Sequence, residues 1–286
     1  MKQRVIASLV LAPLVVASVV LSWPYLLFGL ALVALTLGFW ELRNLTGAPK
    51  ALPVVTLIGL GLPFFATEIS PNRDATQLAI YCFLFFVLGA VFAWVGVGKY
   101  SGSAATTDLA GLWIASPLSC IVLLHNKATP ARMFTEGHQL LHTGPLLEPR
   151  SVLLLVFLPV WVGDIAGLLV GKKFGRKPLW PAISPNKTVA GAVANLVASV
   201  LCAVALSFWI QNPPLFTKPI SCYLTCGAMA GVLGQAGDLF ESYLKRRKGM
   251  KDSGSVIPGH GGVLDRIDSL LFSAPFVVLT LLLWPS

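Results

Sequence analysis

Charge is scarce in this 286-residue chain. Asp, Glu, Lys and Arg together make up 12% of it, against about 25% in an ordinary soluble domain. Acids are the scarcer sign, with 12 Asp and Glu against 21 Lys and Arg. Cysteine occurs only five times. Cys82, Cys120, Cys202, Cys222 and Cys226 all lie inside apolar segments. They form no CxxC and no Cys/His spacing, so they read as reduced packing residues and not as a disulfide framework. The nearest approach to a zinc motif is His138-Gln-Leu-Leu-His142. Gln139 stands there in place of the HExxH glutamate, and a solvated loop is the better reading. No internal repeat is evident.

What the chain has in abundance is apolar surface: 56% hydrophobic residues and a mean hydropathy of +0.78. A soluble core cannot absorb that much, so the bilayer is the expected solvent. The net charge of +9 would suggest nucleic acid in a soluble protein. Here the basic residues fall in short loops between apolar runs, which points to anionic headgroups and phosphate ligands, with no nucleic acid as partner.

Nine apolar runs approach the ~20 residues that cross ~30 Å of hydrocarbon: 4–22, 24–41, 51–68, 77–97, 107–125, 151–171, 188–210, 219–240 and 265–284. The first follows a basic start and resembles a signal peptide, but a second run follows at once, so an uncleaved span is expected. Cytoplasmic loops carry the excess of Lys and Arg. With the N-terminus inside, sixteen of the 21 basic residues fall inside and five outside. The expectation is an all-α polytopic membrane protein of about nine spans with a cytoplasmic N-terminus, in a membrane such as a bacterial inner (plasma) membrane. It divides into N-terminal spans (1–125), an extracytoplasmic loop (126–150) and a polar-rich C-terminal region (151–286).

Asp238, Glu241, Ser242 and Lys245 recur at i, i+3, i+4 and i+7, one stripe of a helix. Glu241 precedes Lys245 in the favourable ion-pair order. An acid at the apolar boundary, as Asp238 is, needs a partner, a cation or water. Upstream, Gly227, Gly231, Gly234 and Gly237 keep the helix thin for close packing, either within the chain or in a homodimer. Then follows KDSGSVIPGHGGVLDRIDS, Lys251 to Ser269. Its glycines free backbone N–H groups to wrap an anion. Lys245, Arg246, Lys251 and Arg266 add positive charge. Asp265 and Asp268 share a face at i, i+3, and hard cations such as Mg²⁺ take carboxylate oxygens while bridging to phosphate. Their plainer reading is as acids complementing a helix dipole. His260 reads equally as a loop hydrogen-bonder or a proton shuttle. Asp164, inside the sixth run, needs a partner or a role. Ser184, Asn186, Lys187 and Thr188 open the seventh run, where hydroxyls and a cation at a helix N-terminus suit an anion or simply cap the helix.

Ser242 to Asp268, SYLKRRKGMKDSGSVIPGHGGVLDRID, resembles the signature of the phosphatidate cytidylyltransferases: S-x-apolar-K-R, then K-D, then apolar-P-x-H-G-G-apolar-x-D-R-apolar-D. SPNKT at Ser184–Thr188, and Asp164 ahead of a G-K-K-F-G-R run containing Arg176, fit as well. Ala190 and Gly167 depart from the residues usual there. The resemblance implies transfer of a cytidylyl group from CTP to phosphatidate in the bilayer, with release of pyrophosphate, at a site on the cytoplasmic interface. It implies Mg²⁺, with two cations as one arrangement, held by Asp238 and Asp265 and next by Asp268. It implies Asp238, Asp265, Lys245, Lys251 and His260 as the catalytic set. Ser184, Asn186, Lys187, Thr188, Arg246, Arg266, Asp164 and Arg176 become the candidates for binding substrate. Two other readings stand beside it. One is a secondary transporter of an anion, with Asp164 and Asp238 as coupling acids. The other is a different membrane phosphotransferase, although the DG-x2-AR-x8-G-x3-D-x3-D pattern of the CDP-alcohol phosphatidyltransferases is absent.

Overall fold

Inside a bilayer no water pairs with exposed backbone, so a chain this apolar must close its hydrogen bonds within each segment, as helices do. The computed structural model describes residues 17–18, 24–48, 50–69, 75–98, 100–128, 151–210, 218–256 and 261–284. In chain order these form α1 (Pro24–Thr46), α2 (Val54–Ile69), α3 (Ala75–Val97), α4 (Ala104–Ala110), α5 (Leu112–Ala128) and α6 (Ser151–Phe174), then strands β1 (Pro178–Trp180) and β2 (Ser184–Thr188), then α7 (Val189–Ile210), α8 (Ile220–Arg247) and α9 (Leu264–Leu283). Among the described residues, six stretches are long and apolar enough to cross a membrane: Tyr25–Thr46, Gln77–Val97, Ala104–His125, Leu153–Phe174, Val189–Phe208 and Leu264–Leu283. The protein is therefore an all-α polytopic membrane protein, with one small β-hairpin among the described residues.

The expected runs and the helices differ in instructive places. The run 4–22 lies outside the described residues apart from 17–18, as does most of the loop 126–150, with His138 and His142. The run 107–125 is two helices, α4 and α5, meeting at Gly111. The run 51–68 yields the shorter α2, which carries Pro63. Ser184–Thr188, expected to open a helix, instead forms strand β2, antiparallel to β1. Only Thr188 keeps a capping role, its Oγ1 accepting from the Gly191 N–H at 3.2 Å.

The two halves of the chain share one core. Phe83 and Phe86 of α3 meet Phe276 and Phe272 of α9 edge to face, and Trp113 of α5 packs on Phe240 of α8. The glycines of α8 are consumed within the chain. A Cβ at Gly227 would stand 2.7 Å from the Val200 Cα, and one at Gly231 would stand 3.0 Å from the Leu196 Cα. Gly237 faces Phe272 of α9 in the same way. On the other side, Gly167 and Gly171 of α6 face Gly191 of α7, so helices six to nine close around a narrow centre.

The basic loops gather at one end of this bundle. Gly102 N–H donates to the Thr46 carbonyl at 2.8 Å, Lys248 Nζ donates to Ser101 Oγ, and Arg246 Nε donates to the Ile183 carbonyl at 3.3 Å. α8 ends there because Gly249 takes φ +67°, and the Met250 N–H returns to the Lys245 carbonyl at 2.9 Å. That closure is the Schellman arrangement, which a residue with a Cβ fills poorly.

Candidate functional site

The stripe on α8 folds as its spacing predicts. Ser242 Oγ donates to Asp238 Oδ1 at 3.3 Å, and Lys245 Nζ donates to Glu241 Oε2 at 2.8 Å. Lys245 also reaches across to Asp265 Oδ1 at the start of α9. All three of these side chains are at most 8% exposed, so an ammonium held between two carboxylates neutralises charge that the interior would otherwise reject. The other oxygen of Asp265, Oδ2, accepts from the N–H groups of Gly262 at 2.8 Å and Ser253 at 3.0 Å. Asp265 thus ties the glycine-rich loop to α8. Gly261, at φ +83°, makes the turn that brings the Gly262 N–H round to it.

Opposite stands the hairpin. Lys187, at the end of β2, pairs with Asp238 at 2.6 Å. Asp164 of α6 accepts from Asn195 Nδ2 at 3.0 Å, and Gln235 Nε2 of α8 donates to Asn195 Oδ1 at 3.2 Å. Polar side chains in apolar helices satisfy one another here, which also sets the orientation of Asp164. Asp164 and Asp268 both lie within Coulomb range of Asp238.

Between these walls lies a cavity of about 710 Å³, within the size range of small-molecule sites. Four acids line it (Asp164, Asp238, Asp265 and Asp268), with four bases: Lys172, Lys187, Lys245 and Arg266. Its own charges balance, so a polyphosphate entering it brings negative charge that calls for further cations. Beside it Leu168 lines the wall at 56% exposure, next to Ile165 at 59% and Leu169 at 63%. This side therefore presents an apolar face to the surroundings of the bundle.

The structure brings together Asp164, Asn186, Lys187, Thr188, Asp238, Lys245, Asp265, Arg266 and Asp268 from the expected set. Ser184, Arg176, Arg246 and Lys251 are not among the lining residues. Arg246 instead holds the hairpin turn and the Met250 carbonyl, at 3.3 and 2.9 Å. His260 lies outside the described residues. Sequence reasoning missed Asn195 and Gln235, although a polar side chain within an apolar run is itself a signal. It also missed two buried acids of the N-terminal half. Asp108 accepts from the N–H groups of Val55 and Thr56 at 3.0 and 3.1 Å, capping α2. Glu41 caps α9.

Among the described residues no three carboxylate, imidazole or thiolate groups converge as a ready-made metal site.

Membrane-spanning helices that close on a cavity lined by four acids and four bases define an integral membrane protein with a site suited to phosphate-ester chemistry. Within that class the chain belongs to the Cytidylyltransferase family, whose profile matches residues 2–284. Proteins named phosphatidate cytidylyltransferase are similar to it. One from Haemophilus influenzae is 30% identical over 286 residues, 96% of each chain. One from Staphylococcus haemolyticus is 39% identical over 130 residues, 46% of this chain and 48% of that protein. One from Staphylococcus aureus is 40% identical over 135 residues, 47% and 50%. The chain matches about half the length of the two staphylococcal relatives.

Proposed function

We propose that the chain is a phosphatidate cytidylyltransferase of phospholipid biosynthesis, joining CTP and phosphatidate to give CDP-diacylglycerol and pyrophosphate. The observation that carries this reading is the cavity of four acids and four bases beside an exposed apolar face of α6. A headgroup can enter that cavity while its acyl chains stay in lipid. An ionised oxygen of the phosphatidate phosphate attacks the α-phosphorus of CTP, and the bond to the bridging oxygen of pyrophosphate breaks. The nucleophile is the substrate's own, so the protein's part is positioning and charge neutralisation. Lys187, Lys172 and Arg266, which line the cavity, would bind phosphate oxygens. Lys245 keeps Asp265 and Glu241 neutralised, and the Asn195–Gln235 pair orients Asp164.

Asp238 and Asp268 would hold Mg²⁺, as one or two cations; Asp265, whose oxygens accept from Lys245 and from the Ser253 and Gly262 N–H groups, would have to release one of these donors to join them. Bound there, Mg²⁺ would offset the mutual repulsion of these acids and the charge of the phosphates. The orientation belongs to the same reading: nine spans with the N-terminus inside put the basic end, and so the cavity, on the cytoplasmic side, where CTP is. A bacterial inner membrane fits such a site. A homodimer would have to use surfaces other than the α8 glycine stripe.

The test uses purified protein with phosphatidate, Mg²⁺ and CTP labelled at its α-phosphate, compared with dCTP, ATP and GTP. Label is expected in the lipid extract from CTP with pyrophosphate released, and none once EDTA has removed the divalent cations. No transfer from any nucleotide by folded, lipid-supplied protein overturns the reading. Counterflow of an anion without CTP would put a transporter in its place.

A further inference from the structure

Glu41 lies on α1, far in sequence from every residue of the cavity. Its side chain is fully buried and crosses to the glycine-rich loop. Oε1 accepts from the Val263 N–H at 2.8 Å, and Oε2 accepts from the Leu264 N–H at 2.9 Å and from Ser253 Oγ at 2.8 Å. All three partners are donors. Two are the amides of Val263, just before α9, and of Leu264, its first residue, where the helix dipole favours a carboxylate. The fit is tight: a Cβ at Gly254 would stand 2.7 Å from Glu41 Oε1. Ser253 and Gly262, on either side of this contact, are the residues whose N–H groups hold Asp265 Oδ2. One carboxylate therefore grips both ends of the loop whose backbone grips the second.

Resting on the cytidylyltransferase reading, we propose that Glu41 is a positioning residue for the reaction: it sets the glycine-rich loop, and through Ser253 and Gly262 the placement of Asp265 and Lys245, without touching substrate. The N-terminal half is then part of the active-site machinery and not only a membrane anchor.

Three variants test this: Glu41→Gln, Ser253→Ala and the two combined, with Asp108→Asn as a control. Asp108 is the other buried cap acid, and it lies outside the cavity. Each is followed by thermal unfolding, by kcat and KM for CTP, and by amide exchange over residues 251–266. Glu41→Gln offers a donor where one of the three donors pointed. It is expected to lower kcat on the order of tenfold to a hundredfold, the scale of a small misplacement of reacting groups. Exchange should quicken in 251–266 and nowhere else. Ser253→Ala keeps its backbone N–H and should cost less, and the double variant should cost no more than Glu41→Gln alone. Asp108→Asn should lower Tm with kcat intact. A Glu41→Gln protein with lowered Tm, normal kcat and unchanged exchange in 251–266 would make Glu41 a plain helix cap and overturn the proposal. Fully additive losses in the double variant would also overturn it. Absence of cytidylyl transfer in the wild type would instead defeat the functional reading, and the exchange result would still judge the grip of Glu41 on the loop.

Discussion

Two lysines of the site make the same kind of bond and should respond to removal in opposite ways. Lys245 is 8% exposed and sits between Glu241, at 0%, and Asp265, at 8%. Removing one member of a buried charge cluster strands the others, at a cost of about 3–5 kcal/mol. Lys245→Ala is therefore expected to lose most of its stability, read as a large fall in Tm or in yield. Lys187 and Asp238 pair at 2.6 Å but are 26% and 35% exposed. Water screens such a pair to about 0–1 kcal/mol. Lys187→Ala should fold with near-normal Tm and fail in function. A charge-assisted phosphate contact is worth about 1.5–3 kcal/mol, so KM for CTP should rise about tenfold or more. Equal Tm losses in the two variants would show that exposure does not separate their roles. The pairing of Glu241 with Lys245 was legible from spacing alone. The reach of Lys245 to Asp265 was not, because it depends on how α8 meets α9.

At the scale of the element, the glycines decide where helices touch. A Cβ at Gly227 would meet the Val200 Cα at 2.7 Å, the Ala203 Cβ at 2.9 Å and the Ser199 carbonyl at 2.9 Å. None of these can swing aside as a flexible side chain would. Gly227→Ala is expected to pry α8 from α7 at about 1–3 kcal/mol, the scale of overpacking. At Gly29 a Cβ would meet nothing within 4 Å, so Gly29→Ala should leave Tm unchanged or raise it. Thermal unfolding of both in one detergent is the check, and an unshifted Tm for Gly227→Ala would refute the tight crossing. Composition announced these helices plainly, since apolar runs of that length have few alternatives in lipid. It said nothing of the β-hairpin. SPNKT has the residues of a helix cap, and only its pairing with Pro178–Trp180 draws it into a strand.

The whole molecule carries its polarity as a difference between its two ends. The turns after α1, α3 and α8 meet through the contacts of Thr46, Ser101 and Lys248, and these are segments that charge bias had assigned to one side before any helix was placed. Local pattern sufficed because Lys and Arg partition by loop, one loop at a time. The contribution of the N-terminal half to the site was hidden for the converse reason. Glu41 acts across more than two hundred residues of chain, and no short-range pattern reports such a contact. The direction of the bundle is open to a direct test. Lys251 is exposed at the basic end, and Tyr25, 69% exposed, begins α1 at the other. Four of the five native cysteines are buried and Cys202 is partly so, which keeps background labelling low. A membrane-impermeant maleimide should label Lys251→Cys in inside-out vesicles and Tyr25→Cys in right-side-out ones. The reverse pattern would turn the cavity away from CTP, and the enzyme reading would then need nucleotide on the outer face. Labelling of both from one side would mean that α1 does not cross, and the alternation of loops on which the orientation rests would fall with it.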